Sequence, residues 1–124
     1  MDRRVARRYL KQVPARFGDE SNDAHVGATY DLSETGVLLR SSRIYPPSTL
    51  LSIKFILPRG KMAHCQGEVQ WAKRVPLPLT RVIQKHGMGI ALSYTSPEYH
   101  QFVKELSASR TGEAVLSRQS SQSA

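Results

Sequence analysis

Apolar residues alternate with polar ones in short runs, and turn-forming residues interrupt the runs before they grow long. The clearest run sets Leu51, Ile53, Phe55 and Leu57 on one side of an extended chain, with Ser52 and Lys54 opposed. Successive strand side chains point to opposite faces, so this pattern makes a strand with one buried face. Comparable runs cover 13–17, 25–32, 37–41, 62–72 and 86–94. Pro58-Arg59-Gly60-Lys61 reads as a hairpin turn, and Pro46-Pro47 cannot join a central ladder. In the fifth run, Ala63, Cys65, Gly67, Val69 and Trp71 share a face, as do Met88, Ile90, Leu92 and Tyr94 in the sixth. Gly67 in mid-strand predicts a bulge or sharp bend. Six short strands at hairpin spacing predict an all-β fold, a small antiparallel β-barrel.

One helix closes the pattern. Ser96 can cap it, Pro97 suits its first position, and Glu98 complements the positive end of its dipole. Tyr99, Phe102, Val103 and Leu106 then form an apolar stripe for packing on a sheet. The expected division is a basic arm over 1–12, a barrel over 13–95, a C-terminal α-helix over 96–106 and a flexible tail over 107–124. The oddly apolar segment 75–83 reads as a packed loop over the core rather than a partner-binding surface.

At 124 residues the chain makes one domain. It has no run of roughly eighteen apolar residues to span a membrane. Its basic N-terminus is followed by no apolar signal core, so a cytoplasmic location is expected. A single cysteine, Cys65, excludes a disulfide framework and lies in an apolar alternation, as a buried, inert thiol would. The net charge is +8, and +5 of it falls on residues 1–18. An arm so charged favours an anionic partner: a phosphate ligand, nucleic acid or an acidic membrane.

Catalysis finds no support. His25, His64, His86 and His100 lie far apart and pair with no acid or thiol at metal-ligand spacing. Neither a nucleophile elbow nor a phosphate loop occurs. No cofactor or metal is expected.

The stretch Asp31-Leu32-Ser33-Glu34-Thr35-Gly36 joins the second and third runs. As a turn it is well made: Asp31 and Ser33 can bond their own backbone, and Gly36 can take a positive φ. It can also do chemistry with the arm. Arginine forks meet the N7 and O6 acceptors of guanine, or stack on a purine while reaching phosphate. Asp31 would accept from the guanine donors on the opposite edge. Ser33 could add a hydroxyl bond, and Gly36 would let ligand or arm approach the backbone; the same parts would suit other purine nucleotides too.

An Arg-x-x-x-Arg arm followed by Asp-x-Ser-x-x-Gly on a β-sheet resembles the PilZ domain, a bacterial receptor family for cyclic di-GMP. The resemblance covers roughly residues 3–106, including Gly67-Glu68-Val69-Gln70-Trp71 and Gly89-Ile90-Ala91-Leu92. It implies a six-stranded barrel on which the arm and turn grip the dinucleotide, with Arg3, Arg4, Arg8, Asp31, Ser33 and Gly36 as ligand-binding residues. Two arm registers fit, Arg4 with Arg8 or Arg3 with Arg7. The first is preferred because Val13-Pro14-Ala15 stands where the family's first strand begins. Arg3 would then occupy the position that in the family resembles a switch between one ligand and a stacked pair, implying two ligands per chain. A downstream effector protein is the implied partner, and a homodimer remains open. Two rivals are a barrel of this fold that binds partners without nucleotide, and a basic barrel for single-stranded nucleic acid. The second wants exposed aromatic platforms, whereas Phe55 and Trp71 read as buried.

Overall fold

A computed structural model describes residues 7–19, 24–74 and 86–110. Arg3, Arg4 and the segment 75–83 lie outside the described residues, as does the tail beyond 110. The elements are strands β1 (Tyr9–Leu10), β2 (Pro14–Asp19), β3 (His25–Leu32), β4 (Gly36–Ser41), β5 (Leu50–Ile56), β6 (Met62–Lys73) and β7 (His86–Thr95), then helix α1 (Pro97–Arg110). All pairings are antiparallel. The order β3-β2-β5-β6-β7-β4 closes when β4 pairs back onto β3, so the expected six-stranded barrel is present.

β1 lies inside the stretch expected to be arm. It pairs with the far half of β3, Tyr9 opposite Leu32 and Leu10 opposite Asp31, while β2 pairs with the near half. Thr29 stitches the gap between them. Its hydroxyl accepts the Val13 amide at 2.9 Å and donates to the Lys11 carbonyl, and its own amide donates to the Val13 carbonyl at 3.0 Å. Tyr9 is buried with the core. The chain is therefore tied to the barrel from Tyr9 onward, and the boundary expected at residue 12 moves back.

Inward side chains of all six barrel strands make one core, among them Phe17, Leu39, Ile53, Phe55, Val69 and Met88. Each such side chain stabilises the fold by about 1.5–3 kcal/mol against exposure. Cys65 is fully buried, and burial pushes its thiol up to about 12, as expected of an inert residue. The helical stripe packs as its spacing predicts, with Tyr99, Phe102 and Val103 buried and Leu106 partly so. The Tyr99 ring meets Phe55 at 5.4 Å between centroids. Ser96 accepts the His64 amide at 3.0 Å through its hydroxyl, tying the helix entry to β6. The helix continues past the expected end at Leu106 to Arg110.

Three register shifts change which side chains face out. Asp31 opposes Leu38 while Thr29 opposes Leu39, so Tyr30 is an extra residue in β3. Trp71 opposes Gly89 while Val69 opposes Ile90, which makes Gln70 extra in β6. Tyr94 opposes Gln66 while Leu92 opposes Gly67, which makes Ser93 extra in β7. A bulge moves the residues beyond it to the other face. Trp71 and Tyr94, expected to share a face with buried neighbours, are 45% and 49% exposed, and Tyr30, in the apolar alternation of Val26, Ala28, Tyr30 and Leu32, is 44% exposed. The irregularity expected at Gly67 falls there as a register shift, with the extra residue on β7 opposite it. A Cβ at Gly67 would come within 2.6 Å of the Ala91 carbonyl oxygen, so the strands approach where no side chain fits.

Candidate functional site

The Tyr30 bulge turns Asp31 out of the core while Leu32 returns to it. Arg8, just ahead of β1, reaches across to that carboxylate. Its Nε donates to Asp31 Oδ1 at 2.9 Å, and its Nη2 donates to the same oxygen. The arginine side chain stays 41% exposed and the aspartate 18%, so the pair is open to solvent at one side. Of the two arginines in the described part of the arm, Arg7 and Arg8, it is Arg8 that meets Asp31.

Of the two roles that the sequence allows Ser33, the structure shows the one within the turn. It is fully buried, and its hydroxyl accepts the amides of Thr35 at 3.2 Å and Gly36 at 3.1 Å. Its amide donates to the Gly36 carbonyl at 2.8 Å, and its own carbonyl accepts the Tyr99 hydroxyl at 2.6 Å. The hydroxyl offered to base or phosphate on sequence grounds is committed to building the turn. Burial holds the Tyr99 hydroxyl firmly protonated, as a donor must be.

Gly36 does not adopt the positive φ expected of it; among the described glycines that conformation is taken by Gly60. Close approach is its reason for being glycine. A Cβ would lie 3.1 Å from the Ile90 carbonyl oxygen and 3.5 Å from Arg8 Nη1, so the arm rests almost on bare backbone. Arg3 and Arg4 fall outside the described residues.

Arg8, Asp31 and Gly36 line one concavity of about 370 Å³, together with Thr35, Trp71 and Gly89. Trp71 is the residue that sequence reasoning missed. Its indole lies on Gly89 so closely that a Cβ at that glycine would come within 2.1 Å of Nε1, and Gly87 adjoins the same ring. The signal was present in Gly87-x-Gly89, two glycines on one face of a strand, forming a floor for a large flat side chain. The concavity thus joins an exposed indole, a carboxylate and a guanidinium, the groups that stack on a purine, read its donors and neutralise its phosphates.

A family model described as PilZ domain matches residues 2–108. Among solved structures, the chain is similar to the Bacillus subtilis inhibitor of motility MotI/DgrA, with a TM-score of 0.69 and 15% sequence identity. The likeness covers 90% of this chain and 52% of that one, so the chain spans about half the length of that protein. At that identity it speaks to the fold. Compared by sequence with curated proteins, the chain finds no match.

Proposed function

The chain belongs to the PilZ family, and from that premise we propose that it is a receptor for cyclic di-GMP that acts through its arm. The observation that carries the proposal is the Arg8–Asp31 pair lining one concavity with the exposed ring of Trp71. In the absence of ligand, Arg8 neutralises Asp31. An entering guanine offers its N1 and N2 donors to Asp31 and takes that partner from Arg8. Arg8 is then released to a phosphate or to the N7/O6 edge. Trp71 supplies a face for the base. Gly36 leaves room for the arm to close, and Ser33 holds the turn that presents Asp31.

Arg4 joins Arg8 as the second arginine of the grip, and Arg3 stacks on a further guanine, so two ligands bind per chain. The phosphates neutralise an arm whose arginines otherwise repel one another, and the arm settles on the barrel. The surface that changes is read by a downstream effector protein in the cytoplasm. The family is one of receptors and adaptors, and the chemistry asked of these residues is recognition rather than catalysis.

Trp71 is the only tryptophan of the chain, which makes the site its own reporter. Cyclic di-GMP should quench or shift its emission saturably, and the change should vanish in Asp31→Ala at the same ligand concentration. Unchanged emission of the wild-type protein at millimolar cyclic di-GMP would refute the site.

A further inference from the structure

A second face of the barrel carries apolar side chains that neither the core nor the Arg8–Asp31 site uses. Val26, 56% exposed, and Tyr30 project outward from β3, and Leu10, 68% exposed, joins them from β1. Ala28, half-buried, lies between them on β3. The Tyr30 bulge divides the apolar alternation of β3, leaving Leu32 in the core and the earlier members outside. These residues line a concavity of about 600 Å³ with Lys11 and Arg40, larger than the one at Arg8. The Arg40 guanidinium lies 4.2 Å from the Tyr30 ring centroid. Arg16 is exposed opposite Val26 in the β2–β3 register and extends the cationic rim. Among the described residues no carboxylate lines this concavity.

We propose that this face docks an acidic amphipathic segment of a partner protein. Its apolar side chains would enter the concavity against Leu10, Val26 and Tyr30, and its carboxylates would meet Lys11, Arg16 and Arg40. Contiguous exposed apolar surface with a polar rim marks an interaction site, and a concave strip suits a single helix or extended segment. Charge selects the occupant. A second copy of this chain brings a net charge of +8 to a face that is itself cationic. A bilayer surface is too flat to fill a concavity. Single-stranded nucleic acid wants successive free aromatic faces, and the one ring here is covered by Arg40. The surface is present in the fold without ligand, so the proposal stands apart from nucleotide binding.

The test is selection of a displayed library of random peptides on the full chain, with the enriched peptides then mapped by backbone amide shifts. The expected winners combine Asp or Glu with apolar residues and shift the amides of Leu10, Lys11, Val26, Tyr30 and Arg40. The double variant Val26→Ser/Arg40→Glu should weaken them by about tenfold or more with an unchanged melting temperature, because both side chains are exposed. The proposal is overturned by an absence of enrichment, by neutral or basic winners, by shifts confined to another face, or by undiminished binding to the double variant. It is equally overturned if these amides respond instead to protein concentration, to oligothymidylate or to anionic vesicles.

Discussion

Asp31 lends a single oxygen to both contacts from Arg8, and that arrangement makes its role in selectivity measurable. A carboxylate reads the paired donors of guanine, which adenine lacks. Asp31→Ala should therefore weaken cyclic di-GMP more than its adenine analogue, so the ratio of the two affinities should shrink; a uniform loss would mean that Asp31 only shapes the turn. Ser33 calls for the opposite experiment. Its hydroxyl serves two turn amides, one of them the buried Gly36 amide, so Ser33→Ala should cost about 1–3 kcal/mol of stability in urea unfolding. At residue level, Arg8 and Asp31 were singled out in the sequence by the arm and turn motifs of the family resemblance, while the bond between them is set by the fold, which brings together residues 23 apart. The inward commitment of Ser33 was not legible, because the same hydroxyl serves a turn or a ligand equally well until burial is known. Of the two reasons for Gly36, the positive φ fails and the close approach of the arm to its backbone holds. A sequence marks where a side chain is absent, while only packing shows that Ile90 and Arg8 occupy the space.

Among the elements, the strands and the helix follow from period and capping signals, and their limits agree within a few residues. What alternation does not carry is a change of phase within a strand. Each of the three bulges adds one residue, and each leaves an aromatic outside that a strict period of two would put inside. Trp71 reaches the candidate site for this reason, and Tyr30 reaches the cationic face. The helix is tied to the site turn through the Tyr99 hydroxyl on the Ser33 carbonyl, and to β5 through the ring on Phe55. Tyr99→Phe keeps the ring and removes the hydroxyl. It should lower stability by about 1 kcal/mol and sharpen amide exchange at Ser33–Gly36 more than at Ile53 or Cys65. Equal effects across the barrel would show that the hydroxyl is not specifically coupled to the turn.

For the whole molecule, one barrel with one helix against it was readable from the count and spacing of the runs, since 124 residues leave room for a single core. The overall charge of +8 will attract polyanions without regard to fit, so a bound anion alone does not identify the ligand. On the function proposed above, specific recognition depends on the arm and turn together. The most direct measurement is calorimetric titration of cyclic di-GMP into the wild type and Arg8→Ala at physiological salt, with oligothymidylate present as a competitor. The wild type should bind saturably, at two ligands per chain, without displacement by the oligonucleotide. Arg8→Ala should lose at least about tenfold in affinity while the melting temperature of the empty protein barely moves. Absence of binding to the wild type, or equal binding by Arg8→Ala, would contradict the assignment of this site.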